Sequence, residues 1–266
     1  MSAPAADGKA MTVHLTQHLL AIDAPSVCMG ATKRPAAVLL WAANGRPIVV
    51  GGERGRVRWT GQAALIAPHF DRDLLLADDS ALISLNFEPG HALYARLATH
   101  GGGQGLIPLD LNLLSGFSAE IRQAIRSSDS ATLDDLAGCA VRTVVARAGP
   151  TSCAQVDRRV SMVMERVESE LCSPPSLTAL AASVHLSPDR LSHLFVSEIG
   201  LPLRSYALWR RYRLALRQLH SDTSLTQLAL QAGFYDQAHM TRTFNGFFGL
   251  RPSLLRSASK LRVVCS

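Results

Sequence analysis

Apolar residues are spaced in two different ways along this chain. Between Thr12 and about Leu97 they come in brief runs: AAVLLWAA (36–43), PIVVGG, GRVRWTG, AALIAP and ALISLNFEP. Each run is rich in β-branched or aliphatic residues and is bounded by Gly, Pro or Asp. Runs of this length and spacing predict short strands of a sandwich or small barrel. Asn44-Gly45, after the first run, signals a hairpin turn. HALYARLATH then reads as a short helix, and Gly101 to Gly103 as a loop. From Gly116 onward the spacing is helical. Phe117, Ile121 and Ile125 lie four apart, and Leu133, Leu136, Ala140 and Val144 form a second stripe in a helix that Asp129 or Ser130 is placed to cap. Two such helices suit an αα-hairpin, and its stripes are candidates either to cover the sheet or to pair two subunits.

A breaker, Gly149-Pro150, lies in the linker-like stretch ARAGPTSCAQ. Beyond it everything is helical. Val160, Val163, Val167 and Leu171 make one inward face, which Ser173-Pro174-Pro175 stops. The text then repeats itself. LAASVHLSPDRLSHLFVSEIGLP, from Leu180, is echoed by LALQAGFYDQAHMTRTFNGFFGLRP, from Leu228. In each copy a Leu-Ala pair leads through a turn into a second helix that ends in Phe, four residues, then Gly-Leu. Ser187 and Pro188 carry the start signals of the first such helix, and Gly200 its stop. Asp236 lies near the start of the other, where a negative charge suits the helix dipole.

With Leu191, Leu194 and Phe195 inward, Asp189, Arg190, Ser192, His193 and Ser197 face outward. With Met240 and Phe244 inward, Gln237, His239, Thr241, Arg242 and Asn245 do the same. Arg forks onto guanine, and Gln and Asn onto adenine, so these residue types suit base edges. LRSYALWRRYRLALRQLH joins the copies as an apolar and Arg-rich rod, with Arg210, Arg211, Arg213 and Arg217 as its charge. A helix of that length spans roughly 25 Å. With the width of the flanking helices it can set two probes one turn of B-DNA apart, about 34 Å.

Charge agrees with a polyanionic partner. There are 27 Lys and Arg against 21 Asp and Glu, a net +6, and only three of the basic residues are lysine. Residues 156–257 hold 12 basic and 8 acidic side chains, most of that excess. A GC-rich genome would produce the same Arg bias, so charge supports the reading without carrying it. The five cysteines, Cys28, Cys139, Cys153, Cys172 and Cys265, show no C-x-x-C pair and no zinc spacing. No apolar run is long enough to span a membrane, and the N-terminus lacks the core of a signal peptide. The expectation is a soluble, cytoplasmic protein without metal or cofactor.

The repeated units and the helix between them resemble the DNA-binding domain of the AraC/XylS family of bacterial transcription regulators. LALQAGFYDQAHMTRTFNGFFGLRPS follows the family signature nearly throughout. The resemblance implies base contacts from Asp189, Ser192 and His193, and from Gln237, Ala238, His239 and Arg242. It implies phosphate contacts from Thr241, Ser253 and helix N-termini. His193 departs from the pattern, since the family usually carries Arg there. The N-terminal strands followed by two helices look like the cupin-type regulatory domain and dimerisation helices of the same family; IAPHFDRDL and LISLNFEP are similar to a recurring strand-turn-strand segment.

A metal-dependent cupin needs clustered ligands, whereas His69, His91 and His100 stand singly. Arg54, Arg56 and Arg58 alternate along one run and so share a face, with Arg72 and His69 in the next turn as neighbours. This group is the candidate site for a small anionic effector; the alternative is a solvated outer face. Leu39, Trp41, Trp59, Leu65, Phe70 and Phe87 form either an apolar pocket or simply core.

The expectation is an α+β chain: residues 1–11 a disordered tail, 12–100 a cupin-like β-sandwich or barrel that senses, 116–148 dimerisation helices (Phe117, Ile121, Ile125, Leu133, Leu136), 149–155 a linker, and 156–257 an all-α domain with two helix-turn-helix units. Its implied function is an effector-responsive activator, a homodimer working with double-stranded DNA and RNA polymerase, and not an enzyme. The alternatives are a regulator controlled by a protein partner and a cupin enzyme fused to a DNA-binding domain.

Overall fold

The computed structural model describes residues 11–52, 56–100, 105–146, 156–257 and 261–265. The chain divides into two compact units, Met1–Thr151 together with Asn245–Ser266, and Ser152–Phe244. The expected tail, apart from Met11, and the linker 149–155 lie outside the described residues.

The first unit contains β1 (Met11–Leu15), β2 (Leu19–Ala24), β3 (Val27–Met29), β4 (Ala37–Ala42), β5 (Ile48–Gly51), β6 (Val57–Gly61), β7 (Ala63–Ile66), β8 (Leu74–Ala77) and β9 (Leu82–Phe87). Helix α1 (Tyr94–His100), β10 (Leu106–Pro108), α2 (Ser118–Ser127) and α3 (Ser130–Val145) follow. The final strand of the chain, Leu261–Cys265, also belongs to this unit and runs parallel to β1. One sheet has the order β10-β7-β4-β9-β2-β1 and ends on that strand; the other has the order β3-β8-β5-β6. The two share no strand pair among the described residues, so the architecture is two sheets rather than a closed barrel.

Every residue of β2, β4 and β9 is buried. Strands covered on both faces lose the polar alternation of a half-exposed strand, which explains the continuous apolar runs. On one face Leu39, Trp41, Ile83, Leu85 and Phe87 pack with α1, α2 and α3. Ile121, Ile125 and Leu133 are fully buried in that same core, with Phe117 and Leu136 packed against it. This corrects the expectation of a dimerisation stripe: a sheet with so large an apolar face needs a cover, and these residues supply it within their own chain. At the α2–α3 turn Asp129 is the cap, its carboxylate accepting from Thr132 N–H at 3.0 Å. Buried Asp23 of β2 holds Arg122 and Arg126 of α2 at 3.0 and 2.7 Å, fixing helix to sheet.

The second unit is helical: α4 (Arg158–Ser169), α5 (Leu177–Ser183), α6 (Pro188–Ile199), α7 (Leu203–Arg217), α8 (Leu225–Gln231) and most of α9 (Gln237–Phe248). Helix α10 (Pro252–Ser257) and β11 (Leu261–Cys265) complete the chain. The division between the two compact units falls inside α9. Lys33 N–H donates to the Gly246 carbonyl at 2.9 Å and Arg34 Nε to the Phe247 carbonyl at 2.6 Å, so the last turn of α9 belongs with the N-terminal residues.

Candidate nucleic-acid interface

Each recognition helix is built from local signals. Ser176 caps α5 by accepting from Ala179 N–H at 3.2 Å. Ser187 caps α6 by accepting from Arg190 N–H at 3.3 Å, with Pro188 at the first helical position. Gly200, at φ 78°, ends it. Ser224 and Gln227 form a reciprocal capping box on α8, a signal legible in Ser-x-x-Gln but missed in the sequence reading. Asp236 accepts from His239 N–H at 2.6 Å at the start of α9.

Packing then fixes which faces point outward. Leu180, Ala181, Leu191 and Phe195 join Val160, Val163 and Val167 of α4 in one core. Leu228, Ala229, Met240 and Phe244 are buried in the second copy, where Phe244 meets Tyr212 of α7 edge-on at 4.8 Å. Gly233 turns the chain at φ 80°, and a Cβ there would lie 2.5 Å from the Leu171 carbonyl oxygen. Only glycine satisfies both demands.

The residues expected to meet DNA are all outside these cores. Asp189, Arg190, His193 and Ser197 are exposed on α6, with Ser192 half-buried. Gln237, Ala238, Arg242 and Asn245 are exposed on α9, with His239 and Thr241 half-buried. Ser253, exposed on α10, and Asn245 fall in the first unit. Gln237 Oε1 accepts from the Thr226 hydroxyl at 2.9 Å, and the His239 ring meets Phe234 edge-on at 5.3 Å. Arg190 and Arg242 enter no ion pair among the described residues.

The rod between the copies uses its charge differently from expectation. Arg210 donates to Glu168 at 3.0 Å, and the same carboxylate accepts from Tyr206. Arg211 donates to the Leu171 carbonyl at 3.0 Å, and Arg213 is only 3% exposed. The first two tie α7 to α4 and to the segment that follows it, and Arg213 is buried within the unit. Arg204 and Arg217 remain exposed.

Of the expected arginine face, the two described members are solvated, as the alternative of an outer face has it. Arg54 lies outside the described residues. Arg56 is exposed; Arg58, also exposed, lies over the Phe70 ring at 5.2 Å and donates to the Asp71 carbonyl at 3.4 Å. Arg72 turns inward instead, 3% exposed, with Nε donating to Thr32 Oγ1 at 2.7 Å. Burial and then the charge of Arg34 hold its pKa well below the usual guanidinium range. Thr32, Arg34, Phe70 and Arg72 share the lining of a small cavity. Arg34, which the sequence reading passed over, also donates to Asn86 Oδ1 at 2.9 Å and stacks on Phe248 at 4.9 Å. His69 is a turn residue at φ 60°, its pKa lowered by burial and by Lys33. Among the described residues no group of three potential metal ligands occurs.

The helix-turn-helix domain family matches residues 180–258. The transcriptional activator RhrA of Rhizobium meliloti is 33% identical over 102 residues, 37% of this chain and 32% of its own length. The arabinose operon regulatory protein of Escherichia coli is 31% identical over 113 residues, 41% and 38% of the two chains. Residues 180–258 form a helix-turn-helix domain similar to those of AraC-type regulators. The chain spans about a third of the length of these curated relatives. ToxT of Vibrio cholerae aligns far more widely. The crystal structure of an apo point variant of ToxT covers 91% of this chain and 94% of its own at 11% identity, with a TM-score of 0.57. The wild-type structure bound to an unsaturated fatty acid covers 94% and 96% at 13% identity, with a TM-score of 0.53. At that identity the likeness is one of fold: N-terminal sheets with a C-terminal helical domain.

Proposed function

We propose that the chain is a transcriptional regulator that reads duplex DNA with α6 and α9 in successive major grooves. The observation that carries this is the pair of exposed polar rows on those helices, above all Arg242, which has no partner of its own among the described residues. Helix α7, 15 residues long, spans about 22 Å. With flanking helices about 10 Å wide, it supports a spacing near the roughly 34 Å of one helical turn. Phosphate contacts from Thr241 and Ser253 set the register. Arg242→Ala is expected to cost about 1–3 kcal/mol of specific binding and to relax one base position. Titration against a randomised set of sites checks it; unchanged site selection refutes the role.

In the same reading the regulator works in the cytoplasm as a homodimer, activates by contact with RNA polymerase, and carries out no catalysis. The subunit contact involves surfaces other than the buried Ile121 stripe. Its N-terminal unit answers to a small anionic effector. The support is that Arg72 is buried beside a second guanidinium and enters no ion pair among the described residues, together with the fatty acid bound by ToxT. Arg72→Gln is expected to remove the effector's influence while sparing DNA binding without it. The rise in melting temperature with small carboxylates measures this; an equal rise in the variant removes Arg72 from the site.

A further inference from the structure

Beside the first recognition helix, the second unit holds a cavity of about 450 Å³ that the DNA reading leaves unused. Small-molecule sites commonly have this size. Its floor is the stripe Arg204, Ala207 and Arg211 on one face of α7. Ala207 leaves the room that a larger side chain would fill. Leu177 and Leu180 of α5 form an apolar wall, and Ser192 of α6 closes one side. Pro174, Pro175 and Pro202 also line it; their fixed φ angles stiffen the surrounding backbone, so the cavity is preformed.

The electrostatics select the occupant. The lining carries two cations and no acid. Neither Arg204 nor Arg211 enters an ion pair among the described residues. Arg211 is half-buried, and burial lowers its pKa, so its charge stands in a poorly solvated place. Its Nε is committed to the Leu171 carbonyl. A guanidinium has five N–H donors in a fork that matches a carboxylate, so four remain. The two cations stand seven positions apart on α7, about 10 Å along the axis, with the apolar stripe between them.

We propose that this cavity binds a small amphipathic carboxylate, its apolar body against Leu177, Leu180 and Ala207 and its head on Arg211. Because Ser192 lies both on the cavity wall and on the recognition helix, occupancy reaches the first helix-turn-helix unit. That consequence rests on the proposed DNA reading; binding itself does not.

Decanoate, with decanol as its uncharged counterpart, tests the proposal on the full chain by methyl NMR. Decanoate is expected to shift the Leu177 and Leu180 methyl signals and to bind about tenfold more tightly than decanol. Arg211→Gln is expected to erase that preference without changing decanol binding, which a purely structural disturbance would not do. Arg211→Lys restores part of it. Ala207→Trp, which fills the floor, is expected to abolish binding of both. Absence of methyl shifts, equal binding of the two probes to the wild type, or binding that survives Ala207→Trp overturns the site. Methyl shifts in a chain that protects no DNA segment would instead overturn the DNA reading and leave the cavity standing.

Discussion

His91 shows how far a residue's chemistry is set by its surroundings. Its Nδ1 accepts from Leu93 N–H at 3.1 Å and its ring meets Phe87 edge-on at 5.0 Å. Burial pushes its pKa down to about 4. In the unfolded chain the value is about 6.5, so the unfolded state takes up the proton first. The neutral ring therefore contributes its full stability above about pH 6.5, and that contribution drains away as pH falls toward 4. The gap corresponds to roughly 3 kcal/mol at most. Urea midpoints between pH 4 and 7 should fall less steeply in His91→Asn than in the wild type; parallel slopes would remove His91 from the cause. The sequence shows His91 as a solitary histidine and so argues against a metal cluster, but a pKa depends on burial, which comes from distant residues. The arginines teach the same lesson. Alternation put Arg54, Arg56 and Arg58 on one face, yet it is Arg72 that turns into the unit, beside an Arg34 that no periodicity marked.

At the scale of elements, the helices of the C-terminal half were legible because their signals are local. Ser176, Ser187, Gly200 and Gly233 act within a turn or two of where they stand. Each N-cap serine satisfies an otherwise orphan helix N–H, so Ser187→Ala and Ser224→Ala are each expected to cost about 1 kcal/mol. Being in different repeats they should add nearly without coupling. Chemical denaturation of both single variants and the double measures this, and a loss far from the sum would show the two repeats sharing a cap-dependent structure. Strand pairing was not legible in the same way. Composition marks β4 and β9 as strands, but their adjacency and the parallel pairing of β1 with β11 join residues far apart in sequence. The helical stripe of Ile121, Ile125 and Leu133 was legible, while its target stayed open between sheet and partner subunit, because an apolar stripe carries no label for what it buries against.

For the whole molecule, the DNA reading makes a geometric demand. A footprint on a bound site should show two protected major-groove segments with centres about 10 base pairs apart, and protection should weaken linearly in logarithmic terms as salt rises. Arg242→Ala should blur only one segment; loss of both together, or a single protected segment in the wild type, would count against two independent probes on one chain. The repeated Leu-Ala pairs and terminal Phe and Gly-Leu residues by themselves determined that the chain carries two copies of one helical unit with outward polar rows, since helix periodicity and capping are local properties. Only the tertiary structure decided that the Ile121 stripe covers its own sheet, that Arg210 and Arg211 brace α7, and that the end of α9 belongs with the N-terminal residues. Those outcomes depend on desolvation and on partners distant in sequence, and no local pattern encodes either.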